Sequence, residues 1–271
     1  MIGVFDSGVG GLSVWKELVK LLPDEKYIYV SDNGYCPYGP KPKSDIIERA
    51  KKITEFLIDK GVDIIVVACN TATAAAIETL RSTYNIPFVG MEPAVKPAAL
   101  KTLSGVIGVL ATQGTFKGEL YLRTLHKFAS NTTVLEQIGT GLVELVESGN
   151  TNSPEAEQLL RKYIEPMLAS GADHIVLGCT HYPFLTEAIK RITGDSVAIV
   201  NPAPAIAHRT DELLRDSRNA EAKVCKNDRT GVNLFYTTGE NISLVESMVE
   251  DILTNLNDKS IQKGEFHTIS I

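Results

Sequence analysis

What this chain lacks narrows its function before any motif is read. It has four cysteines in 271 residues, Cys36, Cys69, Cys179 and Cys225, and no two stand in a Cys-x-x-Cys pair. That excludes a zinc-ribbon or dithiol motif and argues against a disulfide framework, so four free thiols in a reducing compartment are expected. Cys179 and His181 are close in sequence, but no second ligand cluster joins them, and no metal is expected. No apolar run approaches the roughly 20 residues of a membrane-crossing helix, which argues against a membrane partner. Blocks of like charge are missing and the net charge is −6, so nothing here makes an electrostatic footprint for nucleic acid. The opening residues Met1–Asp6 carry no basic region, and Asp6 interrupts their apolar run; a cytoplasmic protein is the expectation.

What remains is the composition of a soluble globular protein, 44% hydrophobic and 22% charged, long enough to bury a core without staples. Short β-branched runs alternate with longer helical patterns. The strands predicted are 2–5, 27–31, 64–68, 88–90, 106–110, 134–137, 175–178, 198–201 and 234–237. Between them, Ile46, Ala50, Ile53 and Leu57 stripe a helix over 44–60. Ala156, Leu160, Tyr163 and Met167 stripe another over 153–170. The alternation predicts an α/β fold of βαβ units with mostly parallel sheets.

The chain also repeats itself. Ile2-Gly3-Val4-Phe5 matches Ile107-Gly108-Val109-Leu110. The run from Val62 to Cys69 matches Ala172 to Cys179, and Val89 to Ala94 matches Val200 to Ala205. Three matches in one order, each roughly 110 residues apart, predict two similar α/β lobes related by a pseudo-two-fold axis. The ligand is then expected in the cleft between them, at strand C-terminal ends.

The repeat places one cysteine at the same point of each half, after a strand and before a helix start. There the helix dipole and free N–H groups favour thiolate, and a thiol near 8.5 needs only a modest downward shift to act as a base. Two thiols facing each other across a cleft suit racemisation, which needs a base on one face of a carbon and an acid on the other. The plain alternative is a pair of buried structural cysteines; the duplicated context weighs against it.

At this point the motifs are specific. Asp6-Ser7-Gly8-Val9-Gly10-Gly11-Leu12, Pro37-Tyr38-Gly39, Ala68-Cys69-Asn70-Thr71-Ala72, Gly178-Cys179-Thr180-His181-Tyr182-Pro183 and Thr237-Thr238-Gly239 occur in the order found in glutamate racemases. The chain resembles that family along nearly its whole length. The resemblance implies racemisation of L- and D-glutamate without a cofactor, supply of D-glutamate for peptidoglycan, and a homodimer. It implies a second lobe, 96–207, inserted into a first made of 1–95 and 208–271. It makes Cys69 and Cys179 the acid–base pair, with Asp6 on the Cys69 side and His181 on the Cys179 side. Glu147 resembles the glutamate that orients the histidine, although Glu144 lies one helical turn away. Cys36 receives no role. A carboxylate raises the pKa of a neighbouring thiol, so Asp6 is expected to tune proton return or the substrate ammonium, and His181 to help deprotonate Cys179.

Glutamate brings an ammonium and two carboxylates. Ser7, Asn70, Thr71 and Thr180 offer donors beside the thiols. Tyr38 and Gly39 offer backbone N–H groups, and Thr115, after the strand equivalent to the one bearing Asp6, is expected in the cleft wall. Ordinary helix capping explains the Ser and Thr residues too. Rival readings explain less. A dinucleotide fold has Gly8 and Gly10 but Ser13 at its third glycine. A cysteine hydrolase or decarboxylase uses one thiol, and a bilobal amino-acid-binding protein needs none.

Overall fold

The computed structural model describes residues 1–220, 232–240, 242–256 and 264–271; Cys225 lies outside them. Among the described residues ten strands form two parallel sheets: β1 (Ile2–Asp6), β2 (Tyr27–Ser31), β3 (Ile64–Val67), β4 (Phe88–Gly90), β5 (Val106–Ala111), β6 (Thr133–Ile138), β7 (His174–Gly178), β8 (Ala198–Val200), β9 (Asn233–Thr237) and β10 (Gly264–Thr268). The larger sheet runs β10-β9-β2-β1-β3-β4 and the smaller β6-β5-β7-β8. Every pairing among these strands is parallel. Central strands β1, β2 and β3 are buried at every residue. That explains their unbroken apolar runs, because helices cover both faces of a parallel sheet.

The order β2-β1-β3-β4 in one sheet is the order β6-β5-β7-β8 in the other, so the repeat in sequence is a repeat in topology. All nine predicted strands form, most within a residue of their predicted ends. The two striped helices run Lys43–Asp59 and Pro154–Ala169, and their eight stripe residues are buried. β10 was not predicted. Its Gly-Glu-Phe-His-Thr run holds one apolar residue, Phe266, which stacks on Phe235 at 5.0 Å, and the strand forms at the edge where β9 offers a row of backbone partners.

Strand register positions the cleft. β1 and β3 pair with Phe5 beside Val67, which brings Asp6 and Ser7 level with Ala68 and Cys69. β5 and β7 pair with Ala111 beside Gly178, which brings Thr112 level with Cys179. The helix Ala203–Ala220 leaves β8 and packs on the helix Leu12–Leu21, against β3 and β4 of the larger sheet. The single tryptophan, Trp15, is fully buried there, edge-on to Phe235 at 5.1 Å and to Tyr27 at 6.4 Å.

Candidate active site

Cys69 follows β3 in extended backbone and is the N-cap of the helix Asn70–Thr83, where its Sγ accepts the Ala72 N–H at 3.4 Å. Cys179 follows β7 at the equivalent point. Both thiols are buried, at 5% and 7% exposure, and both line one cleft. Its wall also holds Ser7, Pro37, Tyr38, Gly39, Asn70, Thr71, Thr112, Val143, Thr180 and His181.

The two thiols have different surroundings. The Cys69 thiol donates to Ser7 Oγ at 3.7 Å, and Ser7 Oγ donates to Asp6 at 3.5 Å. Burial, then the Asp6 carboxylate, hold the Cys69 thiol well above the ordinary range, against the Ala72 N–H that lowers it. The sequence reading expected a lowered value from the helix start. One long N–H···S contact does not offset full desolvation beside a carboxylate. Asp6 itself is pushed up by burial, opposed by His181 and by hydrogen bonds from Cys69 and the Gly11 N–H, the last at 2.7 Å.

On the other side, His181 Nδ1 is 3.7 Å from Cys179 Sγ and Nε2 is 2.6 Å from Glu147 Oε1. Burial works against the imidazolium, but hydrogen bonds to Cys179, Cys36 and Glu147 outweigh it and raise His181 well above its ordinary value. Glu147, from the helix Leu142–Glu147, also accepts the Val9 N–H and Asn33 Nδ2, each at 2.8 Å. Glu144, the alternative support, points outward and is exposed.

The motif glycines explain how these groups approach. A Cβ on Gly8 would fall 1.9 Å from Glu147 Oε1, and one on Gly10 would fall 2.3 Å from His181 Nδ1. The loop after β1 therefore docks on the Cys179 side, where Ser13 Oγ donates to the Thr180 carbonyl at 2.8 Å. The loop after β5 does the converse: Thr112 Oγ1 meets Thr71 Oγ1 at 2.8 Å, and a Cβ on Gly114 would strike Thr71. Each sheet's first loop seals the helix start that follows the other sheet's cysteine.

A family model described as Asp/Glu/Hydantoin racemase matches residues 2–210. The chain belongs to that family. It is similar to the glutamate racemase of Ectopseudomonas mendocina, 50% identical over 214 residues, 79% of this chain and 81% of that one. Among solved structures it is similar to Escherichia coli glutamate racemase in complex with L-glutamate and the activator UDP-MurNAc-ala. The TM-score there is 0.84 at 31% identity, over 99% and 97% of the two chains. Glutamate racemase from Francisella tularensis in complex with D-glutamate gives 0.77 at 27% identity, over 100% and 97%.

Of the residues singled out in the sequence, Ser7, Tyr38, Gly39, Cys69, Asn70, Thr71, Cys179, Thr180 and His181 line the cleft together. Asp6 stands one layer behind Ser7, fully buried. Thr115 is displaced from its expected place. It lies behind Thr112, its Oγ1 3.0 Å from the Thr112 Oγ1 and 3.5 Å from the Gly178 carbonyl, and Thr112 lines the wall instead. The register explains this: Thr112 immediately follows β5, whereas Thr115 is within the helical turn Gln113–Phe116. The repeat itself carried that signal, since Thr112 stands after β5 as Asp6 and Ser7 stand at the end of β1. Val143 and Pro37 are further wall residues that sequence reasoning missed; neither carries a polar side chain to mark it.

Proposed function

We propose that this chain interconverts L- and D-glutamate by moving the α-proton between Cys179 and Cys69 without a cofactor. The observation that carries the reading is the pair of thiols at equivalent strand ends, lining one cleft from opposite halves of a repeat. Cys179, with His181 able to hold its proton at Nδ1, acts as base toward L-glutamate. Cys69, held as a neutral thiol, supplies a proton to the opposite face, and the roles exchange for D-glutamate. Asp6 holds Cys69 in that form through Ser7 and shares the returning proton. Glu147 orients His181.

Substrate binding follows from unmet hydrogen bonds. Both side-chain atoms of Asn70 are buried and lack a partner among the described residues. A buried amide in that state needs a ligand offering both an acceptor and a donor, as an α-carboxylate and ammonium do. Thr71, Thr112, Thr180 and the Tyr38–Gly39 backbone supply further donors. The relatives bound to L-glutamate and to D-glutamate support the choice of substrate. The wider reading is a cytoplasmic homodimer of two-lobed chains, 96–207 inserted between 1–95 and 208–271, that supplies D-glutamate for peptidoglycan.

Incubation with either enantiomer in deuterated water, with no pyridoxal phosphate or metal added, tests this. Loss of optical rotation with deuterium at the α-carbon is expected. A clear preference for aspartate, or activity that chelator dialysis removes, overturns it.

A further inference from the structure

Cys36 is not on the proton path of that reaction, yet its hydrogen bond to His181 sets it against the path's most sensitive groups. Its Sγ, a carboxylate oxygen of Glu147 and a ring nitrogen of His181 all lie within 4.8 Å of one another. The Cβ that Gly8 lacks would fall 1.9 Å from Glu147 Oε1 and 3.1 Å from Cys36 Sγ, so the glycine is what lets thiol and carboxylate share one space. These donors come from separate segments: Cys36 follows the turn Asn33–Tyr35, Glu147 ends a helix, and His181 follows β7.

A thiolate, an imidazole and a carboxylate make the three-ligand set of an open zinc site. Zinc bonds of about 2.3 Å to sulfur and 2.0–2.2 Å to nitrogen and oxygen place tetrahedral ligand atoms roughly 3.3–3.7 Å apart. Side-chain rotation closes a 4.8 Å cluster to that size, and the 2.6 Å His181–Glu147 contact opens by about 1 Å or less. The sulfur selects against magnesium and calcium, which prefer oxygen.

We propose that Cys36, Glu147 and His181 form an inhibitory site for a thiophilic divalent cation of the zinc class. Binding forms metal–sulfur, metal–nitrogen and metal–oxygen bonds. It breaks the Cys36 S–H and the His181 Nε2–H, and both protons leave to solvent. The inhibitory effect rests on the two-thiol reading: the metal replaces the Glu147 hydrogen bond at Nε2 that orients the ring, and a ring held on the metal has its Nδ1 drawn out of place for proton exchange with Cys179. Occupancy of the site does not rest on it.

The test uses metal-freed enzyme, with a phosphine reductant in place of competing thiols. Titration with zinc chloride is expected to inhibit racemisation at one ion per chain, reversibly with chelator. In Cys36→Val the half-inhibiting concentration, measured against that variant's own metal-free rate, rises at least about tenfold. Cobalt(II) gives a readout independent of activity. A thiolate-to-cobalt charge-transfer band is expected in wild type and in Cys69→Ser/Cys179→Ser/Cys225→Ser, which keeps Cys36 as its one thiol, and is lost in Cys36→Val. The triple variant decides the matter even if Cys36→Val does not fold. Absence of the band from it, or zinc inhibition unchanged in a folded Cys36→Val, overturns the proposal and places any bound metal on the other thiols.

Discussion

At the scale of single residues, the two cysteines differ in what holds their protons, and that sets the first prediction. Serine in either place offers a hydroxyl whose pKa lies far above working pH. Cys69→Ser and Cys179→Ser should each lose racemisation by about 10²–10⁴-fold. The double variant should be little worse, because both groups act in one turnover. With a glutamate analogue bearing a β-leaving group, elimination needs one proton removal and no return. Each single variant should then eliminate from one enantiomer, with opposite preferences; a shared preference sinks the two-base scheme. Glu147 carries the second prediction. Glu147→Gln removes the carboxylate that helps raise His181, so the basic limb of the rate profile should move to lower pH. Linkage gives the matching sign in stability. A group raised in the fold contributes fully below its unfolded value of about 6.5 and loses that contribution as pH climbs through the folded value. The stability gap between wild type and variant is therefore widest between about pH 5 and 6.5 and narrows in alkali. Denaturant melts across pH check it, and a gap that widens with pH excludes it.

At the scale of elements, the loop after β1 works because it lacks side chains. In Gly10→Ala the new methyl meets the His181 ring at 2.3 Å, so the buried ring, 2.6 Å from Glu147, must shift to make room. The expected result is a loss on the order of 1–3 kcal/mol together with most of the activity. Gly171, at φ +86° with open space around it, is the control. Gly171→Ala costs about 1–2 kcal/mol in backbone strain and leaves turnover near wild type. Calorimetry and rate assays on the two variants separate packing at the cleft from strain elsewhere. Behind Tyr38, Arg49 grips buried Asp32, with Nε donating at 3.0 Å and Nη2 donating to the other oxygen. Asp32 in turn accepts from Tyr38 Oη and, at 2.7 Å, from Thr238 Oγ1. Arg49→Met leaves that carboxylate buried and unpaired, which should cost about 3–5 kcal/mol. Slackening of the Tyr38–Gly39 turn should also raise the KM for glutamate.

At the scale of the whole molecule, the cleft wall is built from segments that follow both sheets, so a bound substrate should tie the two together. A ligand that binds only the closed cleft stabilises the fold by about 2.7 kcal/mol at a hundred times its Kd. In Cys69→Ser/Cys179→Ser, which does not interconvert them, L- and D-glutamate should each raise the Tm, and aspartate should not. An equal response to aspartate removes the argument for substrate choice.

Strand positions, the parallel α/β class, the repeat and the placement of a cysteine after a strand in each half were legible in the sequence. Buried parallel strands write themselves as β-branched runs, and a duplicated unit writes its cysteines twice. The short edge strand β10 was not legible, because it is stabilised by a partner and not by its own pattern. Nor was the depth of Asp6, the exchange of Thr115 for Thr112, or the burial of Cys69 that outweighs its helix start. Each depends on distances of a few ångströms between segments far apart in the chain. The sequence alone determined that two α/β units each bring one thiol to a strand end. Only the tertiary structure decided that these thiols share a cleft, that Glu147 and not Glu144 meets His181, and that Gly8 and Gly10 exist to let them meet, since desolvation and close approach are properties of packed neighbours.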